Sequence, residues 1–117
     1  MDERILKWLF DISAAIDEIE SYFENSEKNF FTYKQNTMLK RAVERDLEII
    51  GEAVNRIITR DESLAAKITN SKAIIGLRNQ VIHAYDNISD ENIWSILINH
   101  LPKLKTEVKA LIAKYHQ

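Results

Sequence analysis

Residues 36–60 read NTMLKRAVERDLEIIGEAVNRIITR. Within them Leu39, Val43, Leu47, Ile50, Val54 and Ile57 follow one another at steps of four and three, which puts them on one stripe of a helix with 3.6 residues per turn. The stripe predicts a helix that starts near Asn36 or Thr37 and fades near Arg60 and Asp61, with one side turned to a core.

The same rhythm recurs on both sides. Upstream, Ile5, Leu9, Ile12, Ile16, Ile19 and Phe23 form a second stripe, with Asp2 placed to cap it. Asn25 to Tyr33 interrupts the pattern and reads as a loop or short turn whose aromatics, Phe30 and Phe31, cap the core. Downstream, Ser63 to Ile68 suits a short helical turn, and Asn70 or Ser71 suits the cap of a third helix. Its inward residues would be Ile74, Leu77, Val81 and Ala84, and it should end between Tyr85 and Asn87. Ser89 can cap a fourth helix with Ile93, Leu97, Leu101, Leu104, Val108 and Leu111 inward. Pro102, which lacks a backbone donor, should kink or divide it. The expectation is an all-α, four- to five-helix up-and-down bundle in one domain spanning residues 1–117.

Composition agrees. Two glycines and one proline in 117 residues are too few turn formers for a many-stranded sheet. With 45% hydrophobic and 29% charged residues the chain resembles an ordinary globular domain. Its formal charge of −2 supplies no broad positive field, so contact with nucleic acid would be local, and neither a membrane nor DNA is an expected partner. The lack of cysteine removes disulfides and thiol chemistry and fits a reducing compartment. No run approaches the roughly 20 apolar residues of a membrane span, and the acidic start MDER is unlike a signal peptide. A cytoplasmic location is expected.

Gly51 and Gly76 both fall inside predicted helices, where each costs about 1 kcal/mol relative to alanine. Close approach of the second and third helices would offset that cost and would bring the turn Glu48–Glu52 near Arg78.

The third helix carries a second stripe, Ile75, Arg78, Ile82 and Tyr85, with Asn79 and His83 on an adjoining edge. A helix apolar on two sides has two things to pack against, here the bundle core and a partner chain. Arg78 and His83 are five positions apart, about 140° around one helix, so a single copy directs them apart. In a symmetric dimer both copies would line one groove. Histidine exchanges protons near neutral pH, and the arginine fork matches two phosphate oxygens. Together they meet the needs of metal-free RNA cleavage: a base for the 2′-hydroxyl, an acid for the leaving oxygen, and a cation for the phosphorane.

The run from Arg78-Asn79 to His83-Ala84-Tyr85, with Glu44-Arg45-Asp46-Leu47-Glu48-Ile49-Ile50-Gly51-Glu52-Ala53 upstream, resembles the HepT toxin family of the HEPN superfamily. The resemblance covers most of the chain in helix order and length. It implies a homodimeric, all-helical, metal-independent endoribonuclease with no cofactor, cutting RNA with Arg78 and His83 while Asn79 helps organise the groove. It also implies a type VII toxin–antitoxin system, in which an MntA-type nucleotidyltransferase antitoxin uses ATP to attach AMP to Tyr85. Glu48 and Glu52 would be supporting partners of the site.

Plainer readings stand beside these. His83 can satisfy an interfacial hydrogen bond, Arg78 can be a structural ion pair with Glu48 or Glu52, and Tyr85 can pack a half-buried edge. Arg41, Arg45, Glu48, Glu52 and Asn55 fit a solvated face. Trp8 and Trp94 read as bundle or interface anchors, since neither lies in a basic, aromatic-rich stretch, and His100 and His116 receive no role. The competing function is a non-catalytic helical partner, or AMP-accepting subunit, of a separate nucleotidyltransferase; a third is a bare dimerisation module.

Overall fold

The computed structural model describes residues 2–24, 27–83 and 89–115, with side chains for all of these but residues 80–83. Among them every regular element is helical. The order is α1 (Glu3–Tyr22), α2 (Phe30–Gln35), α3 (Thr37–Arg60), a 3₁₀ turn (Glu62–Lys67), α4 (Ser71–His83), α5 (Asp90–Ser95), a π-helical turn (Ile96–His100) and α6 (Leu101–Tyr115). Four long helical bodies and the short α2 make the expected all-α bundle. No helix among the described residues is long and apolar enough to cross a membrane.

Short polar side chains start the helices where the sequence places them. Asp2 accepts from the Arg4 amide at 2.9 Å, Asn36 from Leu39 at 3.0 Å, and Ser89 from Asn92 at 3.2 Å. Each satisfies one of the amides that a helix start leaves without a partner. The 3₁₀ turn falls on the segment expected to be helical, with Asp61 accepting from the Ser63 amide at 3.1 Å.

The central helix is α3, packed on α1 along one side and on α4 along the other, while α6 closes over α1. The molecule is 43 × 31 × 19 Å, and its least dimension is that of two helix layers at 8–10 Å each. Leu9, Ile12, Val43, Ile50, Val54, Ile57 and Ile93 are wholly enclosed in the core, and Ile74 and Leu77 complete it from α4. Burying one such side chain contributes about 1.5–3 kcal/mol. Val81 and Ala84, expected to continue that face, lie outside the described side chains.

The segment expected to be a loop is instead the helix α2, started by Asn29, whose side chain accepts from Thr32 at 3.1 Å. A three-residue step puts Phe30 and Tyr33 on one side and turns Phe31 away. Phe31 is accordingly 74% exposed and caps nothing, whereas Tyr33 is fully buried. The Tyr33 ring lies 5.2 Å from that of Trp94, which also meets Phe30 at 5.8 Å and, edge-on, Phe23 at 6.1 Å. Trp94 is thus an anchor of the bundle itself.

Pro102 does divide the last helix. The π turn precedes it, and the Leu101 amide reaches back to the Ile96 carbonyl, five residues away. The wider ring lets the chain enter α6 around a residue that cannot donate.

Candidate functional site

The site forms where α4 crosses α3. Gly51 is the contact: a Cβ there would overlap Arg78 Cβ, stand 3.0 Å from Arg78 Cγ and 3.1 Å from the Ile74 carbonyl oxygen. This is the close approach its glycine signalled. Gly76 differs, since a Cβ there would meet nothing within 4 Å; its expected role in that approach is not what the chain shows, because it lies on the exposed side of α4, away from α3.

With its base seated on Gly51, the Arg78 side chain is only 22% exposed. One terminal nitrogen donates to Glu52 Oε2 and the other to Asn79 Oδ1 at 2.6 Å. Nε is buried without a hydrogen-bond partner among the described residues. Of the two carboxylates expected near Arg78, Glu52 holds it. Glu48 faces Arg45 instead, at 3.6 Å.

Glu52 is shared, for its Oε1 accepts from Arg56 Nε at 3.0 Å. Sequence reasoning passed over Arg56. The available signal was its place four residues after an acid on one helix face, the spacing that favours a pair. In each of the pairs Arg41–Glu44, Arg45–Glu48 and Arg56–Glu52 the arginine is the more exposed partner: 70% against 10%, 70% against 31%, and 55% against 32%. Carboxylates lie beneath and guanidinium groups outermost. This face is therefore less acidic to an approaching ligand than the composition of α3 implies.

Beside it, Trp8 and Asp11 of α1 meet Arg45, Glu48, Ile49, Glu52 and Arg56 around an open hollow of about 270 Å³. Asn55 borders the next hollow along α3, with Thr59 and Arg60. Behind α3, Tyr22 ties α1 to the buried Asp46: the hydroxyl lies 2.8 Å from Asp46 Oδ2 and 2.8 Å from Glu18 Oε1. Burial raises the Asp46 carboxyl above its ordinary range, opposed by the Tyr22 hydrogen bond. Burial and the two carboxylates likewise raise the Tyr22 phenol.

His83 is the last residue of α4 that the structure describes. Its side chain, and all of Tyr85, lie outside the described residues. Arg78, Asn79 and Glu52 are thus brought together in one chain. The regular helix to His83 keeps that position about 140° around the axis from Arg78.

A family model described as "Ribonuclease HepT-like" matches residues 12–111. A Methanocaldococcus jannaschii protein named as a candidate RNase is 36% identical over 93% of this chain and 98% of its own. A second protein of that organism with the same kind of name is 32% identical over 96% of this chain and 91% of its own. A Thermococcus cleftensis protein named "Probable ribonuclease HepT" is 31% identical over 89% and 92%. No solved structure gives a significant match.

Proposed function

This chain belongs to the HepT-like ribonuclease family, and from that premise we propose that it is a metal-independent endoribonuclease toxin acting as a symmetric homodimer. The observation that carries the reading is the built setting of Arg78: a glycine seat on α3, a carboxylate on one side of its fork and an amide oxygen on the other. A guanidinium fixed before the substrate arrives stabilises charge without reorganising during the reaction.

In the proposed reaction His83 of one copy takes the proton of a 2′-hydroxyl. The freed oxygen attacks the adjacent phosphorus, and His83 of the other copy protonates the departing 5′-oxygen. One P–O bond forms and one breaks, leaving a 2′,3′-cyclic phosphate and a 5′-hydroxyl. Arg78 stabilises the charge on the phosphorane, and Asn79 and Glu52 orient Arg78. Two copies are required because Arg78 and His83 leave one helix in different directions.

The same reading includes an MntA-type nucleotidyltransferase antitoxin, as in type VII systems, that silences the enzyme by attaching AMP to Tyr85. The added phosphate would place negative charge two residues from His83, where RNA phosphate must bind.

The test is cleavage of mixed RNA without divalent metal by the parent and by His83→Ala, with intact mass checked for both. Cleavage by the parent alone is expected; equal cleavage by both overturns the assignment of His83. A second reading is the non-catalytic partner of a nucleotidyltransferase, favoured by one observation: Arg45, Arg56 and Arg78 are all engaged by carboxylates. Cleavage by neither protein, with Tyr85 unmodified, selects it.

A further inference from the structure

Trp8 has no basic neighbour in sequence that would mark it for nucleic acid, but the fold supplies two. Beside the hollow next to Glu52 lies a second one of about 410 Å³, lined by Trp8, Asn55, Arg56, Thr59 and Arg60. Trp8 and Arg56 border both. Glu52, Arg56 and Arg60 mark successive turns of α3, about 6 Å apart along its axis, comparable with one nucleotide of an extended strand. Arg78 reaches this row at the level of Glu52.

The cations are held so as to remain usable. Arg56 is bonded through Nε to Glu52, and Arg60 through Nε to Asp2. Among the described residues the terminal nitrogens of both forks make no further hydrogen bond, and the side chains are 55% and 42% exposed. Between them stands the half-buried Trp8. An aromatic ring flanked by cations in a concave surface is the arrangement that takes a single-stranded base with its phosphates. Asn55 and Thr59 add uncharged hydrogen-bonding groups within reach of a base edge.

We propose that Trp8, Arg56 and Arg60 form a nucleotide subsite for single-stranded RNA outside the Arg78–His83 motif, in which the Trp8 ring stacks a base flanking the cleaved bond and the two arginines hold its phosphates. The inference rests on the ribonuclease reading. It makes substrate preference depend on strand length beyond the reacting pair of nucleotides, with duplex RNA disfavoured because its bases are not free to stack.

The experiment compares cleavage of a short single-stranded oligoribonucleotide and of a dinucleotide by the parent, Trp8→Leu and Trp8→Phe. With the oligonucleotide, Trp8→Leu should raise KM about tenfold with kcat near that of the parent, as expected for loss of one stacked base. Trp8→Phe should recover most of the loss, and the dinucleotide should not distinguish the three. In a Trp94→Phe background, a non-cleavable 2′-O-methyl oligonucleotide should quench Trp8 fluorescence. Equal losses on both substrates, no loss on either, a changed oligomeric mass in Trp8→Leu, or unquenched fluorescence while the parent cleaves would each overturn the subsite alone. A parent that cleaves neither substrate overturns the ribonuclease reading and the subsite with it.

Discussion

Gly51 on α3 and Arg78 on α4 occupy one another's space: the first carries no side chain because the second begins where that side chain would be. Gly51→Ala must therefore move Arg78 and the Ile74 carbonyl together, which shifts backbone as well as a side chain. Overpacking of this kind costs about 1–3 kcal/mol, offset by up to about 1 kcal/mol of helix propensity. Thermal unfolding should show a net loss of stability. Under the proposed function, cleavage should fall further than the unfolded fraction explains, because Arg78 is displaced. Full activity in a destabilised Gly51→Ala would separate Arg78 from the chemistry.

Gly76→Ala is the contrasting case. Nothing lies within 4 Å of its missing Cβ, so alanine should stabilise the single chain by about 0.5–1 kcal/mol through backbone entropy. A higher melting temperature with unchanged oligomeric mass is expected. A variant more stable as a monomer but weaker as a dimer would place Gly76 in the contact between copies.

Glu52→Gln retains the size of the side chain and removes its charge. Losing a partly exposed pair costs about 1 kcal/mol or less, so the melting temperature should drop by a few degrees. Arg78 is then no longer held by an anion that competes with phosphate. Binding of a non-cleavable RNA should tighten severalfold, and the salt dependence of binding should steepen. Weaker binding would show that Glu52 organises Arg78 more than it occupies it.

Asp46→Asn tests the link behind α3. Tyr22 has one hydroxyl hydrogen for two carboxylate oxygens, each at 2.8 Å, and burial raises the folded Asp46 carboxyl above its ordinary value. A raised folded value means that the unfolded chain releases this proton first. Its stabilising contribution is present below the ordinary carboxylate range and is lost as pH rises through the raised value. Asparagine does not titrate and can still bond Tyr22. Denaturant midpoints at a series of pH values should show Asp46→Asn gaining on the parent from acid toward neutral pH. A constant difference across that range would rule the carboxyl out as the titrating group.

The long helices were legible because their stripes repeat over several turns, and because Asp2, Asn36 and Ser89 stand where helix amides lack partners. α2 was not legible: six residues are fewer than two turns, so nothing in the spacing separates the buried Tyr33 from the exposed Phe31. At the site, Arg78 and Glu52 could be paired in advance from the Gly51 signal, since a glycine in a helix raises the question of what approaches it. The same question misleads at Gly76, because the cost of a glycine does not say whether its neighbour lies in the same chain. Trp8 beside Arg56 and Arg60 was out of reach for another reason: its charged neighbours come from α3, far along the sequence.

The π turn at Ile96–His100 acts as a phase corrector. Ile93, Leu97 and Leu101 are separated by two steps of four, which in a plain α-helix would carry the third about 80° past the first. The wider turn absorbs that excess, so Leu104, Val108 and Leu111 continue on the buried side. Removing a single residue between 96 and 100 would leave a straighter helix and rotate everything after it out of alignment. In this chain the position least tolerant of a change in length is therefore an ordinary-looking stretch of helix backbone, where no side chain announces the constraint.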